Sequence, residues 1–304
     1  MPKAAKARTN ARRAPYPESS GSGNSRTNDP GANQPSVGSS VTTNNESRPV
    51  NYLFHCVVAG TMDPMVTRML SIPSTLTLEQ MHMVMQIAFG WGNCHLWKFD
   101  LVKLYSTEKD EREDQKKTYI TDRGDQNGIM PLLTFQMDPR DMQDAVPHRK
   151  DMFKDASEWR LCDIFAKDEY RDKVGLMYEY DFGDSWEHQI SFIGVESPTL
   201  RMGLMADAEY NFPLCFAGEG HPVAEDCGSY GGWEALKEVF TKPRSRDPED
   251  LKNWYKTCCA NGDPKGLDPY KWSILDINDD LEQIRVQISE RPAYAIRITF
   301  LGSC

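Results

Sequence analysis

The chain has 304 residues, 45 of them acidic and 35 basic, for a net charge of −10 with 39% hydrophobic residues. That length allows one large domain or two small ones. The first 50 residues hold seven Lys or Arg against three acids, so residues 51–304 carry −14, which argues against broad contact of the body with a phosphate backbone. No apolar run reaches the roughly 18 residues of a membrane helix, and no signal-peptide core is present. The eight cysteines form no C-x-x-C pair, which points to reduced thiols in a soluble cytoplasmic or nuclear protein, and away from disulfide or cysteine-only zinc frameworks.

Taken in chain order, residues 1–48 are rich in Gly, Ser, Asn, Pro and Thr and nearly lack large apolar side chains. The expectation there is a disordered tail. Its basic tip (Lys3, Lys6, Arg8, Arg12, Arg13) is the segment suited to a targeting signal or a nucleic-acid arm. Residues 49–282 read as one α+β domain. Strands are expected over Tyr52 to Gly60 and Val66 to Ile72. Thr77 and Gln80 form a capping-box signature, and Leu78, Met81, Met85 and Phe89 recur at helical spacing, predicting a helix to about Ala88. Trp97 to Leu104 reads as another strand. Residues 107–127 are almost all polar, a charged insertion, and residues 138–158 are similar in kind. Leu161, Ile164 and Phe165 suggest a short docking helix or turn.

The most informative run is Tyr178 to His188, with four acids, four aromatics and a histidine around Gly183. Even positions are apolar or aromatic (Leu176, Tyr178, Tyr180, Phe182, Trp186, His188, Ile190), and odd positions are mostly polar, the period of a half-buried strand. Gly183, Asp184 and Ser185 supply turn chemistry. A three-residue loop would pair Phe182 with Trp186 and Tyr180 with His188, keeping one face apolar. It would also oppose Asp181 and Glu187, which is destabilising unless a cation sits between them.

Tyr210 to Trp233 reads as a long glycine-rich loop whose glycines let it wrap against the hairpin aromatics. A helix beginning at Trp233 stops before Pro243. Asp247 as cap and Pro248 at the first helical position begin another, and Asn278 caps a short one. Residues 283–304, with apolar alternation on both sides of Arg291-Pro292, are expected to form a C-terminal hairpin packed on the same domain. The whole reads as a mixed, mainly antiparallel sheet with about four packed helices.

Three blocks carry a family resemblance: Ala88 to Leu96, Tyr178 to Ile190, and Pro213 to Trp233. In this order and spacing the chain resembles the Ri-plasmid open-reading-frame-three-like family, over about residues 51–282. A family Pro-x-Trp-Arg-Arg stretch is reduced here to Pro64 and Arg68, and a family histidine two after the position of His95 is replaced by Trp97. The resemblance implies an α+β fold and no particular activity. A resolvase label carried by some members finds no serine nucleophile in a resolvase-like context.

Two chemistries compete for the conspicuous residues. A non-enzymatic recognition or scaffold module would bind a protein or peptide, without a cofactor, through a face made of Tyr180, Asp181, Asp184, Trp186, His188, Cys215, Gly218, Glu225 and Asp226. A metal-assisted hydrolase would instead gather Asp181, Asp184, His188, Glu225 and Asp226 around a divalent ion, joined by His95 or His221. Against the second, Asp184 suits a turn cap and His188 a core position. A third reading, a DNA-associated accessory factor, would act through the N-terminal tail, and none of the three involves a membrane.

Overall fold

The computed structural model describes residues 50–106, 118–119, 130–140, 144, 146–197, 199, 212–242 and 246–290. The expected tail, most of the 107–127 insertion and residues 291–304 lie outside the described residues. The chain divides into two units, Met1–Glu46 and Ser47–Cys304, and the second holds everything below.

Strand β1 (Asn51–Val58) turns into β2 (Thr67–Pro73), and α1 (Leu78–Ala88) follows. Thr77 Oγ1 accepts the Gln80 amide while Gln80 Oε1 accepts the Thr77 amide, closing the expected capping box. Next come β3 (Trp97–Lys103), the short β4 (Tyr105–Ser106) and β5 (Thr118–Tyr119), β6 (Leu133–Gln136), β7 (Phe153–Asp155) and α2 (Leu161–Phe165). The chain continues through β8 (Val174–Tyr180), β9 (Trp186–Val195), β10 (Leu214–Glu219), α3 (Ser229–Thr241), α4 (Leu251–Thr257) and α5 (Ile274–Glu290). Eight strands form one sheet in the order β10-β2-β1-β9-β8-β3-β6-β7, antiparallel except between β6 and β7. The fold is α+β.

Alternate residues of the strands point into the core, the pattern of a sheet with one packed face. Phe54, Leu70, Phe99, Tyr178 and Ile190 from the sheet pack with Met81 and Met85 of α1 and with Trp233, Leu236, Tyr255 and Leu281 of the later helices. Arg68 of β2 is fully buried among them. Its guanidinium donates to the carbonyls of Thr67, Ala88, Glu219 and Gly220 and stacks over Phe89 and Trp272. The arginine retained from the family stretch thus ties α1 and β10 to the sheet.

Besides α3 starting at Ser229, four residues before the expected Trp233, four expectations need correction. The β8–β9 hairpin pairs Tyr180 with Trp186 and Tyr178 with His188, so its loop is the five residues 181–185 and not three. Parity survives the two-residue difference, and Tyr178, Tyr180, Trp186 and His188 still share one buried face, while Phe182 falls in the loop and is 46% exposed. Glu179 opposes Glu187 instead of Asp181. The cation that such a pair calls for comes from the neighbouring strand: Lys98 Nζ lies 3.1 Å from Glu179 Oε2 and 2.9 Å from Asp100 Oδ2. The second correction is that the expected loop from Tyr210 contains a strand, β10, whose alternation is broken by a bulge between Cys215 and Ala217. Third, α4 starts three residues later than expected, and Asp247 accepts the amides of Leu251 and Lys252 from outside the helix. Fourth, α5 runs to Glu290, so residues 284–290 are helical where a strand was expected. Asn278 lies inside that helix rather than capping it. Its side chain accepts from the Cys215 amide and donates to the Cys215 carbonyl, standing in for a strand partner at the sheet edge.

Candidate functional site

Three segments meet at one end of the β3 and β8 strands: residues 90–96 leading into β3, the hairpin loop 181–185, and residues 223–229 leading into α3. Each bends through left-handed backbone. Asn93 (φ 55°), Asp181 (57°), Ser185 (55°), Asp226 (62°) and Ser229 (64°) all adopt it. Asn and Asp tolerate this conformation better than other non-glycine residues, and clusters of such outliers occur where surrounding structure fixes a functional geometry.

Glu225 is the buried centre of the cluster, 1% exposed. Tyr180 donates its hydroxyl to Oε1 at 2.6 Å, the Gly92 amide donates to Oε2 at 2.8 Å, and Cys94 Sγ lies 3.6 Å from Oε1. Burial and this carboxylate push the Tyr180 phenol well above its usual range. Trp91 stacks on Tyr180 at 4.8 Å and donates to the Val223 carbonyl. Asn261 accepts the Glu225 amide and donates to the same carbonyl, pinning the third segment from below.

His95 stands in front of Tyr180, edge to face at 5.6 Å. Its Nδ1 is 3.7 Å from Asp181 Oδ1 and its Nε2 is 3.0 Å from Asp226 Oδ1. Asp181 Oδ1 also accepts the Gly183 amide at 2.9 Å, and Asp184 Oδ2 accepts the Gly228 amide at 3.0 Å, joining the hairpin loop to the third segment. Behind the first segment, four side chains close a circuit: His82 Nδ1 meets the Tyr178 hydroxyl at 2.8 Å and His82 Nε2 meets Asn93 Oδ1 at 2.7 Å. Gln86 Nε2 meets the Tyr178 hydroxyl at 2.9 Å, and Gln86 Oε1 accepts the Asn93 amide at 2.9 Å. His82 stacks on Trp97 at 4.1 Å, and burial lowers it to about 3.

Of the residues singled out from sequence, Asp181, Glu225 and Asp226 converge, with His95, on this site. Asp184 sits at its edge as a cap. His188 does not join: it is fully buried between Phe89, Trp91 and Tyr178, at ring distances of 4.7 to 5.2 Å, and desolvation lowers it to about 3. His221 bonds the Tyr255 hydroxyl and is buried elsewhere. Tyr180, Trp186 and Cys215 are also buried, so they support the surface and do not form it. Cys215 and Gly218 lie on β10, separated from β8 by β2, β1 and β9. A Cβ on Gly218 would meet the Thr67 carbonyl at 2.6 Å, so this glycine serves packing against β2 and not against the hairpin aromatics. Cys94 escaped the sequence reading. A cysteine–histidine pair directly after two helix-ending glycines was the available signal.

Fold and site together define an α+β domain whose polar cluster is carried on three loops at one end of a sheet. The chain belongs to the plasmid pRiA4b ORF-3-like protein family, whose model matches residues 54–271; all three loops lie within that span. The uncharacterized protein y4hQ of Sinorhizobium fredii is similar at 22% identity over 212 residues, 66% of this chain and 81% of that protein. The crystal structure of a protein of unknown function from Methanosarcina mazei Go1 is similar at 21% identity with a TM-score of 0.50, covering 75% of this chain and 97% of that one. That likeness concerns the fold alone. No helix among the described residues is long and apolar enough to cross a membrane.

Proposed function

We propose that the domain is a recognition module that docks a basic, apolar-flanked peptide segment of a partner protein on the loop cluster around His95. The observation that carries this reading is the company the carboxylates keep. Leu96, Phe182 and Tyr230 are 71%, 46% and 41% exposed: Leu96 follows His95, Phe182 lies between Asp181 and Asp184, and Tyr230 is in the first turn of α3, just after the segment that carries Asp226. Large exposed apolar side chains beside a polar cluster on rigid loops are the ordinary make-up of a docking site. The surplus of acid over the body as a whole favours a cationic ligand and would speed its approach.

The test is selection from a displayed random-peptide library against the full chain. Enriched sequences should combine Lys or Arg with aromatic or aliphatic residues. Their affinity should fall at least about tenfold in the Phe182→Ala/Tyr230→Ala double variant, a loss of roughly 1.4 kcal/mol, and should weaken with added salt. No enrichment, or peptides that bind the double variant equally well, would end this reading.

A further inference from the structure

We infer that His95, Asp181 and Asp226 form a binding site for one divalent cation of the zinc class, leaving a position open for a further ligand. One ring nitrogen of His95 and one carboxylate oxygen from each aspartate all lie within 4.8 Å of one another. Ligand atoms on a tetrahedral ion with bonds of about 2.1 Å sit roughly 3.4 Å apart. Asp226 Oδ1 lies 3.0 Å from His95 Nε2, near that value, whereas the 3.7 Å approach of Asp181 Oδ1 is to the other ring nitrogen, Nδ1. Coordination through Nε2 thus needs the His95 ring or the Asp181 carboxylate to turn toward the ion, while the Asp226 side chain, 58% exposed, is free to follow it.

An independent observation concerns His95 Nε2. That atom is shielded from solvent and takes part in no hydrogen bond, although Asp226 Oδ1 is 3.0 Å away. The oxygen therefore stands off the direction in which a ring N–H would point. A simple histidine–carboxylate hydrogen bond would align the two, whereas a shared cation needs them side by side. Buried polar atoms without a partner are rare, and here the atom belongs to a residue type that ligates metal through that nitrogen.

The donor set selects the ion. Calcium and magnesium prefer all-oxygen shells, while an imidazole with carboxylates suits zinc and its neighbours in the transition series. Cys94 and Glu225 form a second triad with His95, again within 4.8 Å. Glu225, however, already accepts from Tyr180 and Gly92. We therefore assign Glu225 and Cys94 to the wall behind the ion, and Asp181 and Asp226 to the ion itself. Three protein ligands with one position left is the arrangement of zinc sites that bind an exchangeable ligand.

This inference does not rest on the peptide reading, and its experiment separates the two. The full chain, stripped with a chelator and dialysed, is titrated with zinc sulfate by calorimetry, and its melting temperature is followed with and without the ion. One equivalent should bind per chain and raise the melting temperature. His95→Ala and Asp226→Asn should each weaken that binding by about 100-fold or more, while Cys94→Ser and Phe182→Ala/Tyr230→Ala leave it unchanged. Asp226→Asn alters an exposed side chain, so its metal-free melting curve should match the parent and serves where His95→Ala fails to fold. Cobalt substitution should give a visible spectrum without the near-ultraviolet band of a thiolate ligand. Failure to bind near one equivalent, undiminished binding in Asp226→Asn, or a thiolate band lost in Cys94→Ser would each overturn the assignment.

Discussion

Single residues decide whether the third segment of the site can exist. Gly228 takes φ 88°, and Gly232, one turn into α3, sits against Cys227 near the end of the same segment. A Cβ at Gly232 would lie 1.7 Å from the Cys227 carbonyl oxygen, a separation no relaxation of a side chain can relieve because both partners are backbone. Gly232→Ala should therefore push Cys227 and Asp226 away from His95. The expected cost is about 3 kcal/mol, read as a melting temperature lower by roughly 6–12 °C for a domain of this size. Glycines in this stretch were visible from sequence, but their purposes were not: Gly232 packs on a backbone carbonyl, whereas nothing lies within 4 Å of a Cβ built at Gly228 or Gly231. The same holds for Asp181 and Asp226. Their residue types suit left-handed turns, yet nothing in their immediate neighbours says that both turns aim at one imidazole.

At the scale of elements, what could be read in advance was local. The capping box of α1 and the parity of β8 and β9 are short-range patterns, and the structure keeps both. The loop between β8 and β9 was misjudged by two residues because Asp181 and Ser185 leave the ladder through left-handed backbone, which no alternation pattern reports. Strand β10 was hidden because its bulge at Cys215–Ala217 and its packing glycine, Gly218, erase the period-two signal. Its outer side is completed by Asn278 of α5, 63 residues away in sequence. Asn278→Ala would leave the Cys215 amide and carbonyl without these partners. At roughly 1–3 kcal/mol for each unpaired buried group, the loss should be about 2–4 kcal/mol, and denaturant unfolding would measure it. Because β10 is otherwise an edge strand, the variant should also self-associate more readily on gentle heating.

For the whole molecule, the buried histidines set the response to acid. Burial lowers His82 and His188 to about 3, from an ordinary 6.5. Between those values the unfolded chain takes up protons that the native state refuses, so each histidine contributes stability that is complete above pH 6.5 and lost as pH falls toward 3. Glu79 acts in the opposite sense. Burial, with Asp155 nearby, raises it from 4.5 to about 7, so its contribution is present at low pH and fades as pH rises through that interval. Two fully buried imidazoles outweigh one half-exposed carboxyl. The melting temperature should therefore climb from pH 3 to about 6.5. His188→Phe, which keeps an aromatic ring between Phe89 and Trp91, should flatten that climb and move the acid-unfolding midpoint downward. A midpoint that stays where it was would show that His188 titrates normally in the fold.

The circuit beneath the first loop carries a polarity fixed by one atom. The backbone N–H of Asn93 can only donate, so Gln86 must turn its oxygen toward it and its amino group toward Tyr178. Tyr178 then directs its proton to His82 Nδ1, which leaves Nε2 as the protonated nitrogen facing Asn93 Oδ1. A single main-chain amide thus dictates the tautomer of an imidazole in the protein interior, and every donor around the loop runs in the same rotational sense.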